Sequence, residues 1–173
     1  TLGAQCMMWD TSPAATELEE KVTDWIRDAI GIPSNWKGVI NDTASLGTIS
    51  SLLTAREIKS NYDINENGFN NNKFKIYTSI EAHSSVEKAV KTIGIGSKNI
   101  RKIDTDNNLS MNHKHLEKEI NKDIVKKNVP LAIISTFGTT GTVSFDPINK
   151  ISEIAKKYKI WHHIDAAYAG SVL

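Results

Sequence analysis

The sequence predicts an α/β fold whose mainly parallel sheet is covered by helices. From Phe74 onward, apolar strand-like runs alternate with helical segments of crossover length. Strands separated by such helices pair in parallel through right-handed crossovers, which leaves both faces of the sheet covered. Small, polar and glycine residues follow the predicted strands directly, at the edge where open α/β sheets bind ligands. These three observations set the fold class and the place to look for chemistry.

The composition is that of one globular domain: 173 residues, a net charge of +1 and 39% hydrophobic residues. No stretch approaches the roughly 18 apolar residues of a membrane helix, and no secretory leader precedes the first helix, so we expect a cytoplasmic protein without a membrane partner. The near-zero net charge predicts no nucleic-acid surface. Cys6 is the only cysteine, which excludes an intrachain disulfide and a thiolate zinc cluster.

Two helical patterns precede the alternating region. The first begins at Ser12-Pro13, with Ser at the N-cap and Pro at the first helical position, and ends at Gly31-Ile32-Pro33. Its apolar residues share one face: Leu18, Val22, Trp25, Ile26, Ala29 and Ile30. After a short apolar step at 38–40, the second pattern begins near Ser45. Residues 61–73 are polar and rich in Asn, which predicts a surface loop.

The alternating region supplies the predicted sheet and its covering helices. The strands are predicted at Phe74–Ser79, Asn99–Ile103, Leu131–Thr136 and Ile160–Asp165, and the helices at Ser84–Ile93, His113–Val125 and Pro147–Tyr158. Because the carboxyl ends of parallel strands meet at one edge, the segments that follow them should lie together. That edge would collect residues 41–45 at a helix start, His83, the Gly/Thr loop 137–141 and Asp165.

Several other kinds of site are disfavoured. His162 and His163 are consecutive, so on a strand they point to opposite faces and cannot bind one metal ion together. His163 and Asp165 share a face, but two ligands are too few. Ser84 and Ser85 lie beside His83 without the Gly-x-Ser-x-Gly turn of a nucleophilic serine, and a lone histidine such as His83 is more often a helix cap or a satisfied polar residue than a catalyst. The stretch 94–99 lacks the third glycine of a dinucleotide fingerprint and follows a helix.

The stretch NDTASLGT (41–48) allows two interpretations. Small hydroxylated residues at a helix N-terminus favour a phosphate group through free N–H groups and the helix dipole. The alternative is ordinary N-capping by Ser45. No Walker lysine follows, so a nucleotide P-loop is not supported.

Together these segments predict a site for a phosphorylated pyridine. A helix N-terminus suits the phosphate, and a histidine ring one strand away suits the flat pyridine. An aspartate beside the pyridine nitrogen keeps that nitrogen protonated, and the pyridinium can then accept the electron pair released at a substrate carbon. The chemistry indicated is that of pyridoxal 5'-phosphate.

Five motifs, in order and at similar spacing, carry a family resemblance over nearly the whole chain: SPAATELE (12–19), DTAS (42–45), YTSIEAHSSVEKA (77–89), FGTTGTVSFDPI (137–148) and IWHHIDAAYAGS (160–171). The chain resembles the group II pyridoxal-phosphate-dependent decarboxylases of the aromatic-L-amino-acid decarboxylase type. The resemblance implies a fold-type I, aminotransferase-like large domain, an L-amino-acid substrate and a homodimer with active sites near the subunit boundary.

The resemblance also implies roles for particular residues. Ala44 and Ser45 would bind the cofactor phosphate, and Thr140 would contact the cofactor near Asp165. His83 would stack on the pyridine ring, Asp165 would pair with the ring nitrogen, and both are the expected catalytic residues. Ala167 would lie against the opposite ring face. His163 matches a family histidine close to the ring, whereas His162 is expected to be structural.

Two departures from the family pattern stand out. Met7 occupies a substrate-pocket position that is often aromatic. The family's Schiff-base lysine lies in an Asn-Pro-His-Lys type motif downstream of DAAYAGS, and no lysine here matches it. The chain starts with Thr1 rather than Met and stops at Leu173 after an apolar run. We therefore expect residues 1–173 to be an internal part of the large domain, inactive alone, without the lysine motif and the C-terminal small domain.

The expected activity of the full-length protein is removal of the α-carboxylate of an L-amino acid as carbon dioxide, leaving the amine. The DAAYAG motif favours an aromatic substrate. Two alternatives remain open: another pyridoxal-phosphate reaction on the same scaffold, such as an aldehyde-forming oxidative decarboxylation–deamination or a lyase reaction, and a non-catalytic member that kept the scaffold.

Overall fold

The computed structural model describes residues 8–70 and 72–172, which fall into two compact units, one reaching to Asp42 and the other spanning Thr43–Val172. The second unit contains four strands, β1 (Phe74–Ser79), β2 (Ile100–Ile103), β3 (Val129–Thr136) and β4 (Trp161–Asp165). Its helices are α2 (Ala44–Ser60), α3 (Asp63–Asn67), α4 (Ser84–Thr92), α5 (His113–Val125) and α6 (Ile148–Tyr158). The first unit contains helix α1 (Pro13–Ala29).

The four strands form one parallel sheet in the order β2-β1-β3-β4. The strands are linked in sequence by α4, α5 and α6, as crossover connections between parallel strands require. In the β3–β4 ladder Ile134 pairs with His163 and Thr136 pairs with Asp165. This register places the last residue of β3 beside the last residue of β4 at the carboxyl edge.

Helices cover both faces of the sheet, as the alternating pattern predicts. On one face, Ile76 and Ile134 pack with Leu52 of α2 and Val86 of α4 in a fully buried cluster. On the other face, buried residues of the same strands pack against α5 and α6: Tyr77, Ile133, Leu116, Ile120, Ile151 and Ala155. Alternating residues of β1 and β3 therefore serve two separate cores, as the two-residue repeat of a strand dictates.

Helix α1 begins at the predicted position, with Ser12 as N-cap residue and Pro13 at the first helical position, although the Ser12 side chain makes no capping bond. Within the same unit, Glu19 Oε1 accepts the Ile40 N–H at 2.7 Å, which fixes the segment after the helix. The predicted apolar face of α1 is not buried: Leu18 is 60% and Trp25 is 64% exposed.

The structure differs from the sequence-based prediction in where some elements begin and end. The polar stretch 61–73 is not wholly a loop, because α3 forms within it and buries Ile64 against the core that includes α2. Strand β3 begins two residues earlier than predicted, since Val129 already pairs with Phe74.

Candidate functional site

A cavity of about 250 Å³ opens at the carboxyl edge of the sheet. Its walls come from the start of α2, the turn after β1, the loop after β3 and the turn after β4. The lining residues are Ala44, Ser45, His83, Ser85, Thr136, Gly138, Thr140, Asp165, Ala167 and Tyr168. The structure thus brings together all six residues that the sequence predicts as cofactor contacts.

The start of α2 is capped by Thr43, not by Ser45. Thr43 Oγ1 accepts the Leu46 N–H at 3.2 Å, so the Ser45 hydroxyl takes no part in the cap and the capping interpretation of Ser45 is wrong. The N–H groups of Ala44 and Ser45 belong to the first helical turn, where no carbonyl of the helix can accept them. Free N–H groups and the positive end of the helix dipole make this wall suitable for an anion.

His83 caps α4 and lines the cavity at the same time. Its Nδ1 accepts the Ser85 N–H at 3.2 Å and lies 2.9 Å from the Ser85 hydroxyl oxygen. Because Nδ1 is an acceptor, the neutral ring carries its proton on Nε2. The helix-cap interpretation of His83 is therefore confirmed, and it fixes the orientation of the ring at the cavity wall.

Asp165 is the last residue of β4 and is held by the backbone around it. Its Oδ1 accepts the Ala167 N–H at 3.2 Å, and its carbonyl oxygen accepts the Phe137 N–H at 2.8 Å. Thr136, its partner in the β3–β4 ladder, has a buried hydroxyl with no hydrogen-bond partner in the described part of the chain. A carboxylate and an unsatisfied hydroxyl therefore lie side by side in the cavity wall.

The loop after β3, which carries Thr140, is tightly constrained. Gly138 has a φ of +87°, and a Cβ atom there would lie 2.7 Å from the Ala169 Cβ atom, so only glycine fits. Thr139 Oγ1 lies 2.7 Å from Thr142 Oγ1 and 2.9 Å from Ser144 Oγ. This hydroxyl cluster holds the loop in place before any ligand arrives.

The two histidines of β4 point to opposite faces, as predicted. His162 Nε2 lies 2.7 Å from Ser135 Oγ and its Nδ1 lies 3.1 Å from Ser152 Oγ on α6. Burial, with a smaller contribution from His163, lowers the pKa of His162 to about 4. Both ring nitrogens thus lie within hydrogen-bonding distance of a serine hydroxyl, and His162 is structural.

Within residues 8–70 and 72–172 no cluster of three or more possible ligands could hold a metal ion.

His163 is not among the residues that line the cavity in the described ranges; its Nε2 lies 3.3 Å from Thr48 Oγ1 on α2. Burial lowers its pKa. Met7, the predicted substrate-pocket residue, lies outside the described residues. The sequence interpretation gave no individual role to four further lining residues, although each ends or follows a predicted strand and Gly138 belongs to the predicted loop 137–141: Ser85, Thr136, Gly138 and Tyr168.

The fold and the cavity define a class: a parallel α/β protein with an anion-binding helix start and an acidic group at neighbouring strand ends. The chain belongs to the pyridoxal-dependent decarboxylase family, because the family model described as "Pyridoxal-dependent decarboxylase conserved domain" matches residues 1–173. None of the helices in the described ranges is long and apolar enough to cross a membrane.

Named relatives agree with this membership. The chain is 38% identical over 172 residues to tyrosine decarboxylase 4 of Petroselinum crispum, covering 94% of this chain and 33% of that protein. It is 35% identical over 171 residues to phenylacetaldehyde synthase of a Rosa hybrid cultivar, again covering 94% of this chain and 33% of the relative. The chain therefore spans about a third of the length of the curated relatives it matches.

A solved structure confirms the predicted fold. Tryptophan decarboxylase of Catharanthus roseus, in complex with L-tryptophan, superimposes with a TM-score of 0.86 at 36% identity, covering 94% of this chain and 35% of that one. The described sheet and helices thus have the fold-type I architecture of pyridoxal-phosphate-dependent decarboxylases.

Proposed function

We propose that this chain is the cofactor-binding part of a pyridoxal-phosphate-dependent enzyme that decarboxylates an aromatic L-amino acid to its amine. One observation carries the proposal: the free N–H groups of α2, the His83 ring and the Asp165 carboxylate line a single cavity. These three groups match a phosphate, a flat ring and a basic ring nitrogen.

The residues of the cavity fit the cofactor. Ala44 and Ser45 would bind the phosphate through their N–H groups and the Ser45 hydroxyl. The Thr136 hydroxyl, which is buried and has no hydrogen-bond partner in the described residues, supports a polar ligand beside this wall. Ala167 is small enough to leave room for a ring, and Thr140 supplies a further hydroxyl at the same wall.

When bound, the cofactor supplies an electron-accepting pyridinium ring that stabilises negative charge at the substrate α-carbon. Asp165 would hold the proton on the ring nitrogen, since a carboxylate beside it favours the charged form. His83, fixed through Nδ1 by Ser85, would keep the ring flat from one side. Ala167, which carries only a methyl group, would leave room for the ring on the other side.

We further propose that residues 1–173 are part of the large domain of a longer chain that supplies the lysine and the small domain. In support, no lysine lines the cavity within the described ranges. The aromatic substrate rests on the DAAYAG motif and on the tyrosine decarboxylase relative.

A second reaction is favoured by one observation, the 35% identity to a phenylacetaldehyde synthase. In that reaction the amino acid, dioxygen and water would give the aldehyde, carbon dioxide, ammonia and hydrogen peroxide. Simple decarboxylation gives one amine and one carbon dioxide and consumes no oxygen. The two reactions therefore differ in products and in oxygen uptake.

The test is a panel of L-amino acids incubated with the full-length protein and pyridoxal phosphate, with carbon dioxide, amine, aldehyde and peroxide measured in each sample. Decarboxylation predicts equal amounts of carbon dioxide and amine from an aromatic substrate. Aldehyde with peroxide would replace the first proposal by the second. A protein that binds no pyridoxal phosphate would overturn both and leave the non-catalytic alternative.

We also propose that the full-length protein is a cytoplasmic homodimer. The exposed apolar face of α1, with Leu18 and Trp25 more than half exposed, supports an interface with a second subunit. Sedimentation of the full-length protein should give twice the monomer mass, and a Trp25→Glu variant should shift it towards the monomer. Imaging of a tagged full-length protein tests the location.

A further inference from the structure

Thr48 is a buried residue of α2 for which the proposed function has no role. Only 2% of its surface is exposed, and its hydroxyl makes two contacts. Oγ1 donates to the Ala44 carbonyl oxygen at 3.1 Å and lies 3.3 Å from His163 Nε2 on β4. The hydroxyl therefore joins the helix start that would bind the phosphate to the strand that ends in Asp165.

Hydrogen counting fixes the direction of the second contact. A threonine hydroxyl has one hydrogen, and the Ala44 carbonyl, which can only accept, takes it. The Thr48 oxygen must then accept a hydrogen from His163, so the His163 proton sits on Nε2. The chain of donors runs from His163 to Thr48 and on to Ala44.

His163 and Asp165 are two residues apart on β4, so their side chains share one face of the sheet. The His163–Thr48 contact is therefore made on the face of β4 that also carries the Asp165 side chain. It joins two segments that are 115 residues apart in sequence.

We propose that Thr48 and His163 are positioning residues that set the spacing between the N-terminus of α2 and Asp165. This inference rests on the proposed function, because the spacing matters only if one ligand spans both ends of the cavity. Pyridoxal phosphate is such a ligand, with a phosphate at one end and a ring nitrogen at the other. A fixed spacing lets both ends bind together without reorganising the protein.

The chain offers matched controls for this proposal. Ser51 Oγ accepts the Trp161 Nε1–H at 2.9 Å, which is a second side-chain tie between α2 and β4. Neither residue lines the cavity in the described ranges. Thr54 Oγ1 donates to the Ser50 carbonyl at 2.9 Å, the same bond within α2 that Thr48 makes, but it is exposed and has no histidine partner.

The experiment measures the dissociation constant of pyridoxal phosphate for the full-length apoprotein and its variants. Thr48→Val and His163→Phe should each raise this dissociation constant about tenfold. The double variant should raise it no further, because both substitutions remove the same Thr48–His163 hydrogen bond. Thr48→Ser, which keeps the hydroxyl, should stay within about twofold of wild type. Ser51→Ala and Thr54→Val should do the same.

Two smaller probes, each filling one end of the cavity, distinguish a change in spacing from a general loss of order in the protein. Inorganic phosphate and pyridoxal without its phosphate should bind Thr48→Val and wild type with dissociation constants within about twofold of each other. The melting temperature of the Thr48→Val apoprotein should match that of Ser51→Ala.

Several outcomes would overturn the proposal. One is a Thr48→Val variant that binds pyridoxal phosphate as tightly as Ser51→Ala does. Another is a double variant in which the two increases in dissociation constant multiply. The third is a loss of affinity for inorganic phosphate and for pyridoxal as large as the loss for pyridoxal phosphate. Wild-type protein that binds no pyridoxal phosphate would overturn this proposal together with the proposed function. If the wild type binds pyridoxal phosphate and the Thr48 and His163 variants bind it equally tightly, only the positioning role is overturned.

Discussion

The Nδ1 atom of His83 accepts the backbone N–H of Ser85 at 3.2 Å, so the ring that caps α4 is also a wall of the cavity. The Ser85 hydroxyl, 2.9 Å from the same nitrogen, gives the ring a second contact. Helix capping and ligand contact usually make separate demands on a side chain. Here one imidazole can meet both demands, because the cap uses Nδ1 and no partner of Nε2 is found in the described residues, while the residue also lines the cavity.

This relationship predicts the effect of Ser85→Ala. Loss of the hydroxyl should loosen the His83 ring and raise the dissociation constant of pyridoxal phosphate about three- to tenfold, the worth of one hydrogen bond. Ser84→Ala is the matched control, since Ser84 is exposed and does not line the cavity in the described residues. Fluorescence titration of the full-length apoprotein checks this, and equal affinities for the two variants would contradict it.

Asp165→Asn should remove the charge from the cavity without disturbing the backbone around it. The asparagine side-chain oxygen can still accept the Ala167 N–H that Asp165 Oδ1 accepts. A neutral amide cannot hold a proton on the ring nitrogen, so release of carbon dioxide by the full-length protein should fall about a thousandfold or more. Wild-type rates in this variant, at an unchanged melting temperature, would refute the assigned role.

Gly138→Ala should destabilise the full-length protein by roughly 1–3 kcal/mol, because the backbone there has a φ of +87° and the new Cβ atom would meet Ala169 at 2.7 Å. Gly141 lies in the same loop without a positive φ, and a Cβ atom there meets nothing within 4 Å. Gly141→Ala should therefore leave the midpoint of urea unfolding nearly unchanged. Equal midpoints for the two alanine variants would show that the Gly138 geometry carries no strain.

Stability should fall on mild acidification because His162 is half-buried in its neutral form. Its pKa is about 4 in the folded chain, against 6.5 for the ordinary group, so the unfolded state binds more protons between these values. The contribution is complete above pH ~6.5 and is lost as the pH falls towards ~4, by an amount on the order of 1–2 kcal/mol after allowance for partial exposure. Urea unfolding measured across this range should show a shallower pH slope for His162→Gln than for wild type. Identical slopes would assign the acid sensitivity to other groups.

The sequence predicted the sheet and its parallel direction, because hydrophobic periodicity is a local property. Strand-end position placed residues 41–45, His83, the loop 137–141 and Asp165 at one edge. The individual cofactor contacts of Ala44, Ser45, Thr140 and Ala167 came from the family resemblance. The sequence analysis missed α3, a five-residue helix within a polar stretch whose single buried residue, Ile64, joins the core. The alternative that Ser45 caps α2 is wrong, because Thr43 is the cap residue; several neighbouring small polar residues can each cap a helix, and the backbone angles decide between them.

Other features lie beyond the reach of a single sequence. The contact of Thr48 with His163 joins residues 115 positions apart, and no local pattern marks either partner. The strict need for glycine at position 138 follows from the approach of Ala169, which belongs to a different strand end. Such contacts are set by tertiary packing, which overrides local preference.

The strand order has a consequence for the folding of the chain. Ser45 and Asp165 line one cavity although about 120 residues separate them, and the aspartate ends the last strand of the described sheet. Closing so long a loop is slow, and β4 can pair only after β3 is in place. A ligand of this cavity therefore cannot act as an early template for folding. It can only stabilise the finished sheet by mass action, so growing chains that have not yet reached residue 165 must fold without its help.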